Sequence, residues 1–216
     1  MPDMTKNETV RTDTESRILQ AAEEEFLLKG LDGARTTVIA ERAGVTHAML
    51  HYYFRTKKML FERIIKEKMR NAGNILRMAF VSGEMPLTER IRRGVERHFD
   101  FIAANQNLPR FVIQEIYSHP ERHEIMRSQV LAITKDWLGD IQRQIDESAA
   151  AGITGWIDAR MLLFDIVSLN LFTFIGYPFA SLIFDGNAPD NEKDFLEKRK
   201  AENVELVLRR IKKIEV

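Results

Sequence analysis

The chain has 216 residues, enough for one or two small domains, and its 44% hydrophobic and 30% charged residues are typical of a water-soluble globular protein. It contains no cysteine, which excludes disulfides and cysteine-ligated metals and fits a cytoplasmic protein. The formal net charge is +0, which argues against a generic binder of polyanions. The chain has only 11 Gly and 6 Pro, and this low content favours long helices with few turns.

The N-terminal segment predicts an arm followed by a first helix. Residues 1–11 have no apolar run, so we expect a short disordered arm and no secretory signal. Thr12 and Glu15 fit a capping box that starts the helix, and Gly30 is a good stop. Helical periodicity dominates the rest of the chain, and we predict no strand.

Two short helices come next, and their spacing is informative. The first covers residues 37–43 and ends at Gly44, while the second covers residues 47–54 and has Thr46 as its N-cap. Thr56 can cap a fourth helix directly afterwards. Two short helices joined by a three- or four-residue turn that contains glycine form the layout of a helix-turn-helix.

The second short helix has an unusual composition. Residues 51–54 read His-Tyr-Tyr-Phe, and one side of a short helix cannot bury all four rings. Some of them must lie at the surface, where they can reach phosphates and base edges. Residues 35–70 also contain nine basic and three acidic residues, an excess of six positive charges. Such a basic stretch is either a DNA-facing surface or an ordinary solvated helix face.

Beyond a break at residues 82–86, apolar stripes predict further helices. They are a helix starting near Thr88, a short helix over residues 111–117, one long helix stopping at Gly152, an apolar helix from Asp158 through about Phe174, and a final helix carrying residues 204–214. The long helix is predicted from Ile133, Trp137 and Ile141, spaced by four. Pro178 is expected to break the apolar helix.

Residues 161–184 are long enough to cross a membrane, but they contain Asp165, Asn170 and Pro178. A helix buried in a core or a dimer seam explains this composition better. We therefore expect no membrane association.

Residues 14–66 resemble the tetR family, the tetracycline-repressor-like transcriptional regulators. The positions that match the family pattern are Ala22, Phe26, Gly30, Leu31, Asp32, Gly33, Ile39, Ala40, Ala43, Gly44, Val45, Thr46, Leu50, Tyr53, Phe54, Lys57 and Leu60. Five residues depart from it. The family often has Lys, Gly and Tyr where this chain has His47, Ala48 and His51. It usually has an apolar residue at the position of Thr36 and a Ser or Thr cap at the position of Arg35. The operator sequence of a relative therefore cannot be carried over.

The resemblance implies an all-α protein of about nine helices. Its N-terminal three-helix DNA-binding domain with the helix-turn-helix would cover residues 12–56, a linker helix would cover residues 57–74, and a larger C-terminal helical domain for ligand binding and dimerisation would cover residues 75–216. It also implies a homodimer on a near-palindromic operator in double-stranded DNA. The predicted function is repression of transcription, relieved by a small-molecule effector.

The resemblance also assigns individual contacts. The predicted DNA-contacting residues are Thr36, Thr37, Thr46, His47, Ala48, His51, Tyr52, Tyr53 and Lys57, of which Tyr53 and Lys57 would grip phosphates. The effector is expected to be apolar or amphipathic. The aromatic residues that could line its pocket, although such residues are core by default, are Phe99, Phe101, Phe111, Trp137, Phe164 and Phe172.

Other chemistry finds less support in the sequence. His119 and His123 are four residues apart, but Pro120 lies between them, so a helix start with exposed histidines is a better interpretation than a metal site. We find no phosphate-binding glycine loop and no nucleophile elbow, and we predict no catalytic residue, metal or cofactor. A helical enzyme and a helical protein-interaction module remain as alternatives, and specific, salt-sensitive duplex binding would separate DNA binding from both.

Overall fold

The computed structural model of the protein describes residues 4–81, 85–120, 123–135, 137–183 and 192–212, and it confirms an all-α fold. Within these residues there are ten helices, against about nine predicted, and no strand. The helices are α1 (Met4–Gly33), α2 (Thr36–Arg42), α3 (His47–Phe54), α4 (Lys57–Val81), α5 (Leu87–Ala103), α6 (Asn107–Ser118), α7 (His123–Thr134), α8 (Leu138–Ala150), α9 (Ala159–Ile183) and α10 (Glu192–Arg210).

The chain divides into two compact units, each built from two stretches of sequence. Unit 1 consists of Met1–Met69 and Phe111–Met126, and unit 2 consists of Arg70–Arg110 and Arg127–Val216. Helix α4 begins in unit 1 and ends in unit 2. The domain limits expected from the sequence, after residues 56 and 74, remain proposals.

Unit 1 is held together by apolar side chains at helical spacing. Ile18, Ala22 and Phe26 of α1 are at most 1% exposed, and they share one face because residues four apart stack on a helix. The Phe26 ring packs edge-on against Phe61 of α4, with centroids 5.3 Å apart. Helix α1 begins at Met4 and not near Thr12, so the predicted capping pattern lies inside the helix and part of the expected arm is helical.

The core of unit 2 forms where α5, α8, α9 and α10 meet. Helix α5 is strongly amphipathic and buries Ile91, Val95 and Phe99 at four-residue spacing. Ile145 of α8 and Ile166 of α9 are equally buried in this core. Each such side chain contributes about 1.5–3 kcal/mol when it leaves water.

The long helix predicted through Ile133 and Trp137 is wrong, because two helices, α7 and α8, occupy this part of the chain. Trp137 takes the N-cap position of α8 with φ −113°. Its ring stacks on Phe80 at a centroid distance of 6.2 Å and is 4% exposed. Burial of this large ring in the core of unit 2 outweighs continuation of the helical hydrogen bonds.

The expected break at Pro178 is also wrong, since α9 continues to Ile183. Proline removes one backbone hydrogen bond, but ring packing holds the helix around it. Phe174 packs on Phe99, and Tyr177 packs on Phe195. Residues 185–190, whose polar composition predicts a loop, and residue 214 of the predicted final helix lie outside the described residues.

By length and composition alone, α9 is apolar enough to cross a membrane. Its segment 159–180 has a mean hydropathy of 1.5, and 22% of it is buried within this chain. One side of this apolar helix, where Phe164 and Phe172 are exposed, is therefore left uncovered by the rest of the described chain.

Candidate nucleic-acid interface

The turn between α2 and α3 depends on a residue without a side chain. Gly44 has φ 64°, a conformation that costs a residue with a Cβ about 1–2 kcal/mol. Its N–H donates to Glu41 O at 3.0 Å, and the N–H of Val45 donates to Ala40 O at 3.0 Å. These two bonds close the end of α2 and turn the chain into α3 within four residues, as the sequence predicted.

Arg17 of α1 braces this turn, and the sequence analysis missed it. Its Nη1 donates to Ala43 O at 3.0 Å, and a Cβ placed on Gly44 would lie 3.4 Å from the same nitrogen. The two partners are 26 residues apart, so no local pattern connects them.

Helix α3 is capped and presents one face outward. Thr46 Oγ1 accepts a hydrogen bond from Met49 N at 3.2 Å, which confirms the predicted N-cap. Leu50 and Phe54 are buried and fix the inner face of the helix. The opposite face is exposed and contains His47, Ala48, His51 and Tyr52.

The two histidines of α3 are held in place by neighbouring groups. His47 Nε2 is 2.9 Å from Thr36 Oγ1, which links α3 to the start of α2. The ring of His51 meets that of His47 edge-on, with centroids 4.4 Å apart. His51 Nδ1 is 2.9 Å from Arg55 O, and because a carbonyl oxygen only accepts, Nδ1 is the donor. Neutral His51 therefore presents Nε2 as an acceptor.

The two tyrosines differ in exposure. Tyr52 is 71% exposed, whereas Tyr53 is half-buried and packs edge-on against the Tyr52 ring at 5.5 Å. Thr37 is exposed and Thr36 is half-buried at the start of α2. All nine predicted contact residues thus lie on α2, on α3 with its cap Thr46, or at the first residue of α4.

Lys57, the first residue of α4, has a structural role that the sequence did not indicate. Its Nζ donates to Ala34 O at 3.0 Å and to Asp32 O at 3.3 Å. Two of the three ammonium donors therefore tie α4 to the end of α1 and to its connection with α2.

Glu25 is a fully buried carboxylate beneath the helix-turn-helix, and it was also missed. Arg35, the N-cap of α2, makes no side-chain cap, but its N–H donates to Glu25 Oε1 at 3.4 Å. Lys29 Nζ lies 2.8 Å from the same oxygen, and Arg42 Nη1 lies 3.5 Å from Oε2. Burial raises the pKa of Glu25, but these hydrogen bonds and positive charges outweigh it and hold the pKa below its usual value. The carboxylate of Glu25 is therefore ionised, and it holds the start of α2 in place.

The six aromatic residues predicted to line a ligand pocket lie in different surroundings. Phe99 and Trp137 are buried in unit 2, where Phe101 is half-buried, and Phe111 is buried in unit 1. Phe164 and Phe172 are 65% and 68% exposed on α9. The structure therefore does not gather the six rings around one enclosed cavity.

Unit 2 contains an open surface groove and a buried polar network. The groove has a volume of about 370 Å³ and is lined by Leu138, Gly139, Gln142, Asp146, Trp156, Asp158 and Arg160. In the network, Asn170 Nδ2 donates to Val95 O and His98 Nδ1, and Asn203 Nδ2 donates to Asn170 Oδ1 and Thr173 Oγ1. Burial lowers the pKa of His98 to about 4, so this histidine is neutral at pH 7.

The described residues contain no group of three histidine, aspartate or glutamate side chains arranged to hold a metal ion. His119, one of the two histidines considered for such a site, lies 3.5 Å from Asp32 Oδ2. The side chain of His123 is outside the described residues.

Comparison with known proteins agrees with this geometry. Residues 18–64 match the family model of the bacterial regulatory proteins of the tetR family. The chain is 29% identical to the transcriptional activator FasR of Mycolicibacterium smegmatis over 111 residues, which are 51% of this chain and 50% of FasR. It thus aligns with only half the length of that relative.

Solved structures resemble nearly the whole chain. The tetR-family regulator PfmR of Thermus thermophilus superimposes with a TM-score of 0.64 at 20% identity, covering 89% of this chain and 97% of PfmR. The regulator FadR of Bacillus subtilis, solved with stearoyl-CoA, superimposes with a TM-score of 0.62 at 19% identity, covering 90% of this chain and 97% of FadR.

A capped, exposed second helix after a tight glycine turn, within a basic stretch, defines a DNA-binding regulator of the helix-turn-helix class. Residues 18–64, which include the whole helix-turn-helix, therefore resemble the tetR family of bacterial regulatory proteins.

Proposed function

We propose that the protein is a homodimeric, cytoplasmic repressor that binds a near-palindromic operator and is released from it by a small-molecule effector. The observation that carries this proposal is the exposed outward face of α3, with Thr46 as its cap and His47 and His51 on its surface. We infer no enzymatic activity, and we assign DNA binding to residues 12–56, the connection to residues 57–74 and regulation to residues 75–216.

Within the interface, two kinds of contact are proposed. Thr36, Thr37, Tyr53 and Lys57 lie at the edges of the helix-turn-helix, where phosphate contacts fix its position on the duplex. The face formed by Thr46, His47, Ala48, His51 and Tyr52 enters the major groove and reads base edges.

His51 makes the most specific of these contacts. With Nδ1 bound to Arg55 O, its neutral ring offers Nε2 as an acceptor. In the major groove, the donors that match an acceptor are the N6 amino group of adenine and the N4 amino group of cytosine. We therefore assign to His51 an A or C on one strand of each half-site.

The test is binding to the site that the protein selects from random duplexes. His51→Phe keeps the ring but removes the acceptor, so it is expected to cost about 1–3 kcal/mol on the selected site and little on random DNA. Arg143→Ala on the exposed surface of α8 is the matched control and keeps wild-type affinity. Equal losses on both duplexes would assign His51 to the phosphates, and selection of no palindrome would contradict the proposed operator.

The dimer is proposed from the uncovered face of α9. Its exposed apolar residues are Met161, Phe164, Phe172, Phe179, Leu182 and Ile183. Monomeric proteins in water seldom expose so many large apolar side chains on one helix, and a partner would cover them. A second copy of the chain, bound to this face, would cover these apolar residues, so that no membrane is needed to explain them.

The effector is proposed to be apolar or amphipathic. Unit 2 is rich in buried aliphatic and aromatic side chains, and the structurally similar FadR was solved with stearoyl-CoA, a molecule with a long alkyl chain. Binding in unit 2 would act on α3 through α4, which belongs to both units. Such coupling is about 1–3 kcal/mol in typical cases.

Repression is tested by transcription from the selected operator in cells with and without the protein. Higher transcription without the protein is expected for a repressor. Lower transcription would make the protein an activator, as the relative FasR is named.

A further inference from the structure

The surface groove of unit 2 is formed by α8 and by the segment that leads into α9. Its volume is about 370 Å³, and its lining residues all lie between Leu138 and Arg160. Trp156 is one of them and is 66% exposed, so its ring is open to the solvent. A concave site of this size, with an apolar lining and a few polar groups, fits a small molecule.

Three hydrogen bonds hold the two sides of the groove together. Gln142 Nε2 donates to Ile157 O at 3.2 Å, and Gln142 Oε1 accepts from Ala159 N at 2.7 Å. Trp156 Nε1 donates to Asp146 Oδ1 at 2.8 Å. These bonds fix the side chains that line the groove, so a ligand would spend little free energy on ordering them.

Asp146 carries a negative charge that the described part of the chain does not balance. Its Oδ1 accepts from Trp156 Nε1 and from Gln142 Nε2, the latter at 2.9 Å, and both donors are neutral. Its Oδ2 has no hydrogen-bond or ion-pair partner among the described residues, whereas Asp140 on the same helix pairs with Arg143. A carboxylate with a free oxygen and no counter-ion attracts a cation that has N–H donors.

The other two charges of the groove neutralise each other. Arg160 Nη2 donates to Asp158 Oδ2 at 2.6 Å, and its Nε donates to Oδ1 at 3.1 Å. These hydrogen bonds lower the pKa of Asp158 to about 2, so both partners are ionised at pH 7. The pair has no net charge, and Asp146 therefore sets the sign of the groove.

Trp156 adds a second group that favours a cation. The face of an indole ring is the negative end of its quadrupole and attracts ammonium groups. The N–H of this ring already donates to Asp146, so the carboxylate and the ring lie side by side. Leu138 contributes apolar surface to the same groove. An ammonium group on a short alkyl chain matches all three side chains.

We propose that this groove binds an alkylammonium ion, which donates to Asp146 Oδ2, lies against the ring of Trp156 and places its alkyl chain on Leu138. The site is separate from the DNA-facing surface of unit 1 and goes beyond the repressor function proposed above. The alkylammonium group is shared by two sources, a free amine and the lysine side chain of a polypeptide.

The experiment follows the two indole N–H signals of the ¹⁵N-labelled protein, which contains two tryptophans. Trp156→Phe assigns the signals, and the buried Trp137 serves as the internal reference. The probes, added at constant ionic strength, are butylammonium, tetramethylammonium, butyrate and 1-butanol. Tetramethylammonium is a cation without N–H donors, whereas butyrate and 1-butanol keep an alkyl chain without the positive charge.

Butylammonium is expected to shift the Trp156 signal to saturation and to leave the Trp137 signal in place. For so small a ligand on an open groove, the expected dissociation constant is about 1–10 mM. Tetramethylammonium is expected to bind more weakly, and butyrate and 1-butanol are expected to leave both signals unchanged. These comparisons use the wild-type protein and do not depend on the folding of any variant.

Two variants with the same charge change test the role of Asp146. Asp146→Asn keeps the oxygen that accepts from Trp156 and removes the charge, so it is expected to weaken butylammonium binding by about tenfold. Asp140→Asn is the matched control, because Asp140 is exposed on α8 outside the groove, and it is expected to bind as the wild type does.

Three results would overturn the proposal: no saturable shift of Trp156 with butylammonium, an equal shift with 1-butanol, or equal weakening by Asp146→Asn and Asp140→Asn. The second result would make the groove merely apolar, and the third would reduce its charge preference to a general attraction by the surface. Once butylammonium binds as expected, Nα-acetyl-lysine amide distinguishes the sources. Tighter binding than butylammonium identifies a lysine side chain, and equal or weaker binding identifies a free amine.

Discussion

Three side chains far apart in sequence support the helix-turn-helix. Arg17 donates to the carbonyl at the end of α2, and Glu25 accepts the N–H at its start. Lys57 donates to one carbonyl at the end of α1 and to one in the α1–α2 connection. Each satisfies backbone groups that a short helix or turn leaves unpaired. The exact placement of α3 therefore depends on residues that do not themselves face the predicted DNA surface.

Gly44→Ala tests the turn at the level of one residue. With φ 64° at this position, alanine is expected to lower the free energy of unfolding by about 1–2 kcal/mol. Gly139→Ala is the control, because Gly139 is helical, exposed and has no heavy atom within 4 Å of an added Cβ. That change is expected to raise stability by about 0.5–1 kcal/mol. Urea unfolding at fixed protein concentration measures both, and effects of the same sign would contradict the assigned turn.

His98 gives the protein a pH-dependent stability. Burial lowers its folded pKa to about 4 from an unfolded value of 6.5, so the unfolded chain binds more protons between these values. Stability is therefore full above pH 6.5, falls as the pH drops, and has lost about 3 kcal/mol by pH 4. His98→Asn, which still offers an acceptor to Asn170, is expected to lose this part of the pH dependence in urea unfolding, whereas the exposed His47→Asn keeps it. An unchanged pH profile in His98→Asn would contradict the assignment.

At the scale of secondary structure, the short helices are stable because the backbone groups at their ends are hydrogen-bonded. Helix α3 has eight residues, fewer than an isolated helix needs in water. The Thr46 cap at its start and the buried Leu50 and Phe54 on its inner face supply the missing stability. Helix α4 starts in the same way, since Thr56 Oγ1 accepts from Met59 N at 3.1 Å.

Thr46→Ala tests the cap of α3. Loss of the hydroxyl leaves Met49 N unpaired and is expected to cost about 1 kcal/mol of stability. Thr46→Ser keeps the hydroxyl and is expected to behave as the wild type within about 0.5 kcal/mol. Chemical denaturation and binding to the selected operator are measured together. If Thr46→Ser and Thr46→Ala weaken operator binding equally, then binding depends on the methyl group that both variants lack and not on the capping hydroxyl.

At the scale of the whole molecule, the uncovered face of α9 decides whether the protein works as one chain or two. Phe172 is 68% exposed near the middle of this helix. A glutamate there would be buried without a partner in a dimer, which costs several kcal/mol. Phe172→Glu is therefore expected to sediment as a 25.1 kDa monomer while the wild type sediments at about twice that mass.

Leu28→Glu is the control for this experiment, because Leu28 is 63% exposed on α1 of unit 1, outside the proposed interface. It is expected to remain dimeric. A monomeric wild type at micromolar concentration would contradict the interface, and a dimeric Phe172→Glu variant would move it away from α9.

Local rules predicted much of unit 1. The stop at Gly44, the Thr46 cap and the alternation of buried and exposed residues on α3 follow from backbone sterics and helical periodicity, which act over a few residues. The same rules misplaced the start of α1 and merged α7 with α8. Trp137 fits a helical pattern as well as it fits a buried N-cap, and periodicity alone does not distinguish the two.

The sequence by itself determined that this protein is all-helical, that it carries a helix-turn-helix, and which residues α3 turns outward. The tertiary structure decided which groups brace that motif, how far α9 extends past Pro178, and which side chains line the groove of unit 2. The physical reason is the sequence separation over which each interaction acts. Capping, turn sterics and helical spacing act within a few residues, whereas burial and the pairing of polar groups join residues as distant as Asn170 and Val95, 75 positions apart.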